Sequence, residues 1–118
     1  MNSLPTDADS SVLRLYRVTK SDPPTIRDFL SFRELGIPLR HRTAKGLRLW
    51  DGLSVYREQE QAATRARRTP GLGQYVAELR IPMDGRFRLE LDNGEDGHCT
   101  IWGEPEALLA LVVSVWPV

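Results

Sequence analysis

YVAELRIPMDGRFRLELDNGEDGHCTIW, residues 75–102, reads as three strands in succession. Tyr75, Ala77, Leu79 and Ile81 alternate with Val76, Glu78 and Arg80, the period of a strand with one face on a core. Asp84-Gly85 is a hairpin signal. Phe87, Leu89 and Leu91 then alternate with Arg86, Arg88 and Glu90. Asn93–Gly97 is a second turn, and His98–Trp102 a short third strand. Strands joined by such short turns must be largely antiparallel. Leu79, Ile81, Phe87 and Leu89 are expected on one buried face.

Outward from this centre, the pattern predicts a further strand on each side. Val12–Val18 places Leu13 and Leu15 on one face and Val12, Tyr16 and Val18 on the other. Thr25 is a good N-cap with Asp28 three residues on, and Ile26, Phe29, Leu30 and Arg33 share a face, so a helix is expected over 25–35, closed by Gly36. Residues 36–46 are basic, contain Pro38 and Gly46 and lack periodicity, which predicts a loop. Leu47–Tyr56 is expected to be a strand in two pieces around Asp51-Gly52. Glu58–Arg68 is a helix with acids first and bases last, ended by Pro70 and Gly71, and its alanines Ala62, Ala63 and Ala66 make a flat packing face. Pro105 suits the first turn of a short helix, Glu104–Ala110, before a last strand, Val112–Trp116. The order is β-α-β-α-β-β-β-α-β. The expectation is a small single α+β domain, with a mixed, mainly antiparallel curved sheet and two to three helices. Residues 1–11 read as a flexible tail and 12–118 as the domain.

Composition agrees with such a domain. Of 118 residues, 41% are hydrophobic and 27% charged, and Lys+Arg balance Asp+Glu at 16 each. No apolar run is long enough to span a bilayer, so no membrane partner is expected. Met1–Ser11 is polar and acidic, unlike a secretory signal. One cysteine, Cys99, excludes an internal disulfide and fits a reducing compartment, the cytoplasm. The charge is unevenly placed. Arg33, Arg40, Arg42, Lys45 and Arg48 cluster with only Glu34 among them, so an anionic or protein partner at the Arg40–Arg48 loop is a reading the sequence offers.

The familiar catalytic signatures are absent: no Walker loop, dinucleotide-binding glycine fingerprint or nucleophile elbow. No metal is expected, because His41, His98 and Cys99 are too few and too scattered for a zinc site, and His98 and Cys99 alternate to opposite faces of one strand. What remains is dispersed: Tyr16-Arg17 at the end of the first strand, Trp50-Asp-Gly-Leu-Ser54 before the second helix, and Glu104-Pro-Glu106 before the last strand.

In this order, across residues 13–116, the chain resembles the arginine–serine–glutamate branch of the ADP-ribosyltransferase-like family. The resemblance implies an NAD-dependent enzyme. It assigns Arg17 to the dinucleotide phosphates, Ser54 to ordering the site, and Glu106, with Glu104 as companion, to the nicotinamide ribose and its oxocarbenium-like state. Tyr16 or Trp50 would stack on nicotinamide or adenine. The family's Ser-Thr-Ser motif is reduced here to Leu53-Ser54-Val55. The residues also admit two other classes. One is a non-catalytic protein-binding or regulatory module, of toxin–antitoxin or immunity type, with Trp50 as its aromatic anchor. The other is a small RNA-binding domain, for which Arg14 with Tyr16 and Tyr56 with Arg57 supply only two aromatic–basic pairs.

Overall fold

A computed structural model describes residues 11–92 and 94–118; the tail expected at 1–11 lies, but for Ser11, outside them. Six strands form one antiparallel sheet: β1 (Val12–Thr19), β2 (Leu53–Tyr56), β3 (Tyr75–Pro82), β4 (Arg88–Leu91), β5 (His98–Trp102) and β6 (Val112–Pro117). Their spatial order is β4-β5-β2-β1-β3-β6, and every pairing is antiparallel. Three helices complete the α+β domain: α1 (Ala44–Trp50), α2 (Gln59–Arg68) and α3 (Pro105–Leu109).

Strand alternation builds two layers of core. Leu15, Val55, Leu79, Ile81, Cys99 and Ile101 are fully buried on one face, closed by Phe29 and by Leu108 of α3, with Leu89 and Phe87 packed against them. This is the face expected for Leu79, Ile81, Phe87 and Leu89. Tyr56 and Val76 point the other way and receive Ala62 and Ala63 of α2. A helix face made of alanine lets α2 lie close to the sheet, and its last turn carries Arg65, Arg67 and Arg68, complementary to the helix dipole.

Three expectations need correction. Asp84-Gly85 is not a hairpin. Gly85 has a positive φ of 89°, but β3 has β1 on one side and β6 on the other, and β4 lies at the far edge beside β5. The eight-position ladder of β1 on β3 takes the edge a hairpin would have used. Six Cα steps from Pro82 to Arg88 reach only roughly 20 Å. Four strand spacings of ~4.8 Å take up nearly all of that length, so the connection crosses the sheet with almost no slack.

The helix expected over 25–35 is instead a single 3-10 turn, Ile26–Phe29, after which Leu30 is extended. Asp28 explains the break. Its buried carboxylate accepts from the backbone N–H of Thr25 at 2.9 Å and of Lys20 at 2.8 Å, tying the turn to the end of β1. The chain then restarts with a reciprocal capping box, Ser31 N–H to Glu34 Oε1 at 2.8 Å and Glu34 N–H to Ser31 Oγ at 3.2 Å.

Finally, the basic segment does not run as a loop into a strand. Thr43 accepts the Gly46 N–H at 2.9 Å and caps α1, which occupies Ala44–Trp50. Polar contacts dock this helix on β4 and β5. Arg48 makes a two-pronged bond to Glu90, at 2.7 and 3.0 Å, and its carbonyl accepts the Trp102 indole N–H at 3.1 Å. Arg48 is therefore paired, with an acid 42 residues away in the chain.

Candidate functional site

The site begins where the sheet splits. β1 and β2 share a single register position, Tyr16↔Tyr56, against eight for β1 and β3. Beyond it the strands part, and Arg17 reaches across. Its Nη1 donates to the Ser54 carbonyl at 2.8 Å and its Nε to the Asp28 carbonyl at 2.6 Å. A main-chain carbonyl that loses its ladder partner needs another donor, and the guanidinium serves both carbonyls. It also lies 5.9 Å from the centre of the Phe29 ring. Burial lowers the Arg17 pKa to about 10, the Asp28 carboxylate and Tyr56 opposing that fall. At neutral pH the guanidinium remains charged, in surroundings that compensate the charge incompletely.

A cleft of about 380 Å³ opens at the split. Leu30, Phe32, Leu49, Leu53 and Leu72 supply its apolar wall, and Arg17, Arg65, Ser54, Tyr56, Asp92, Asp96 and His98 its polar one. Burial raises the Tyr56 pKa, so its hydroxyl is a neutral donor at physiological pH.

Across the cleft from Arg17, β5 and the turn before it organise three side chains. Ser54 and His98 lie on the same face of adjacent strands, β2 and β5, because Tyr56 pairs with His98 and Ser54 with Thr100. The Ser54 Oγ is 2.9 Å from His98 Nε2, and His98 Nδ1 is 3.5 Å from Asp92 Oδ2. The second distance is longer than a short hydrogen bond. One tautomer suits both: with the proton on Nδ1, facing Asp92, Nε2 accepts the Ser54 hydroxyl hydrogen. The Tyr56 ring meets the imidazole edge-on, with centroids 5.6 Å apart. Backbone bonds hold the turn: Asp92 N–H to His98 O at 3.1 Å, and His98 N–H to Asp96 Oδ1 at 3.1 Å. Gly97, buried with φ 74°, accepts the Arg57 N–H at 3.1 Å. Its left-handed backbone favours glycine, and a β-carbon there would displace the Gln61 side chain.

Of the residues singled out in the sequence, Arg17 and Ser54 come together at the cleft. The other four lie elsewhere and are not among its lining residues. Tyr16 shares a face with its register partner Tyr56, in the layer beneath α2, with its ring 6.4 Å from that of Trp116. Trp50 ends α1, donates its indole N–H to the Ile37 carbonyl at 2.7 Å and carries the Arg33 guanidinium 5.6 Å above its ring. Glu104 is the N-cap residue of α3 and Glu106 stands in its first turn, both exposed. The carboxylates at the cleft are Asp92 and Asp96.

His98 and Asp92 escaped the sequence reading because their signal is relational. His98 attracted notice only as a metal ligand. Its nearness to Ser54 follows from β2 pairing with β5, which no local pattern announces. Cys99, its neighbour, faces the main core, and burial pushes its thiol pKa up. Among the described residues no group of three or more His, Cys, Asp or Glu side chains is arranged to hold a metal ion, and no helix is long and apolar enough to cross a membrane. Comparison with known proteins adds no relative: no protein-family model matches the chain, and no curated protein or solved structure is significantly similar to it.

Proposed function

We propose that the cleft binds the phosphates of a nucleotide, that NAD is this ligand, and that the domain transfers ADP-ribose from it. One observation carries the reading: Arg17 is held by two carbonyls at the mouth of a split sheet, charged and beside Ser54. A guanidinium fixed in this way loses little freedom when it grips a phosphate, and binds it through two parallel N–H groups. Arg65 supplies a second cation on the same wall. The cleft volume sits at the small end of ligand pockets, which run from about 300 to 1,000 Å³. It therefore encloses one half of a dinucleotide and leaves the other along its open side. Leu30, Phe32 and Tyr56 offer apolar surface for a base or for nicotinamide.

Breaking the bond between nicotinamide and ribose puts positive charge on the sugar, and a carboxylate nearby offsets it. Asp92 and Asp96, the carboxylates lining the cleft, would take the role that the resemblance assigns to Glu106. The buried lone thiol and the absence of a membrane-spanning helix among the described residues suit an enzyme of the cytoplasm.

Titration calorimetry with NAD tests the proposal. Binding is expected at or below millimolar ligand. It should weaken roughly 10- to 100-fold in Arg17→Ala, the size of one lost charge-assisted contact of about 1.5–3 kcal/mol. Arg17 also braces the split, so Arg65→Ala is the companion variant, expected to weaken binding without loss of fold. Absence of binding at millimolar NAD, or unchanged affinity in both variants, removes the reading.

A second reading has its own observation. Phe32, Ile37 and Leu47 are large apolar side chains left exposed around Trp50, next to the basic Arg40 and Arg42. That surface suits a protein partner with an acidic rim, and it would stand if the cleft bound no nucleotide.

A further inference from the structure

We propose that Ser54 is a nucleophile activated by His98 and Asp92, and that the cleft hydrolyses esters of small anionic acids through an acyl-serine intermediate. This does not rest on NAD as ligand. It rests on the chain Ser54–His98–Asp92, of which the transferase reading uses only the Asp92 carboxylate, and for another task.

A serine hydroxyl is a poor nucleophile until a base takes its proton. Here the base is already in place, 2.9 Å from Oγ, and a carboxylate stands behind its other nitrogen at 3.5 Å. The three residues come from β2, from β5 and from the residue after β4. Such a constellation is recognised by its geometry and roles, not by sequence order. The supports are rigid. Ser54 sits in a ladder with Thr100, and the turn carrying Asp92 is closed on His98 by a backbone hydrogen bond. The Ser54 side chain is exposed at the cleft, so an incoming carbonyl can reach it.

Arg17 completes the arrangement. Its Nη1 already touches the Ser54 carbonyl, and its Nη2 makes no hydrogen bond among the described residues. Anchored on the Ser54 backbone and lining the cleft, the guanidinium supplies a positive charge that offsets the negative charge developing on the substrate. With Arg65 on the same wall to hold a distal charge, it favours an anionic substrate.

The chemistry balances. Ser54 Oγ bonds to the ester carbonyl carbon while its proton passes to His98 Nε2. The carbon–oxygen bond to the alcohol breaks, its electron pair stays on the alcohol oxygen, and His98 returns the proton to that oxygen. Water then attacks the acyl-serine, gives one proton to His98, and the Ser54 oxygen leaves and regains a proton. Ester and water become acid and alcohol, and the protein is unchanged.

A fluorophosphonate probe tests the proposal on the full chain without knowledge of the substrate. The expected result is one adduct, mapped to Ser54 by peptide mass spectrometry and absent in Ser54→Ala. Labelling should slow ~10²–10⁴-fold in His98→Ala, the range of general-base assistance, and by less in Asp92→Asn. His98→Gln keeps much of the ring's volume and guards against a variant that fails to fold, with circular dichroism as the control. An adduct on another serine, no adduct, or equally fast labelling with His98→Gln overturns the proposal. Calorimetry with NAD is independent of this outcome. NAD binding without labelling of Ser54 sinks only the acyl-serine chemistry, and labelling without NAD binding sinks only the transferase reading.

Discussion

The two ends of β5 make an instructive pair. Each borders a run of acids: Asp92, Glu95 and Asp96 before His98, and Glu104 and Glu106 after Trp102. The strand between them is five residues, roughly 14 Å of extended chain at ~3.4 Å per residue. Only the first end meets Arg17 and Ser54, because β5 runs antiparallel to β2 and places His98 opposite Tyr56, next to the split. The second end turns away into α3. There Glu106 serves the first turn of the helix, Pro105 and Leu108 are buried, and Leu108 joins the main core. The acids are exposed at both ends, but Asp92 and Asp96 line the cleft, while at the other end Glu104 and Glu106 lie outside it and the burial of Pro105 and Leu108 is what matters. Proximity in sequence to a strand end says little until the partner strand is known.

The largest effect expected is on stability, at the second end. Leu108→Ala removes a fully buried side chain and should cost about 2–5 kcal/mol in urea denaturation. Ligand binding at the first end should persist in the fraction that remains folded. If Leu108→Ala abolished NAD binding at temperatures where the protein is folded, the two ends would be coupled and the contrast would fail.

A functional contrast sharpens the comparison. If ADP-ribose transfer is the activity, Asp92→Asn or Asp96→Asn should slow release of nicotinamide from NAD ~10²–10³-fold, the scale of one lost transition-state contact. Glu106→Gln should change it less than about twofold, as surface substitutions away from a site do. A chromatographic assay of nicotinamide decides. The reverse order, with Glu106→Gln the damaging change, would restore the assignment the resemblance suggests.

The smallest effect concerns pH. The Arg48 guanidinium, bonded to Glu90, holds that carboxyl below its usual range. A depressed carboxylate contributes stability at neutral pH that is lost as pH falls through its lowered value. The pair is partly exposed at the surface, so the contribution is small and screened by salt. Thermal melts of Glu90→Gln and the unaltered protein should therefore differ slightly at pH 7 and converge in acid. A gap that widened in acid would show that Glu90 is not the group that α1 leans on.

Much of the architecture was legible. Alternation located β1, β3, β5 and β6 to within a residue or so, and the acid-to-base gradient of 58–68 announced α2, because these signals are local consequences of period and dipole. The failures have a common cause. The stretch 25–35 has a helical stripe, yet Asp28 finds better partners in the N–H groups of Lys20 and Thr25, and a second cap at Ser31 and Glu34 restarts the chain. The basic stretch lacks a helical stripe, yet α1 forms because Glu90 and Trp102 hold it from two other strands. In both cases a tertiary partner outweighed a propensity worth a few tenths of a kcal/mol per residue.

The site divides along the same line. Arg17 and Ser54 are named by the resemblance, which assigns the one to phosphates and the other to ordering the site. That they meet depends on the split between β1 and β2. That His98 and Asp92 join them depends on β5 lying beside β2, while β4, which an Asp-Gly turn seemed to fold back on β3, crosses to the far edge. Local sequence determines which residues form strands and helices and which face each side chain takes, because those follow from backbone geometry and hydrophobic period. Strand order is settled by the competition among edges for hydrogen bonds and buried area, a property of the whole chain. In this protein it is strand order that assembles the cleft.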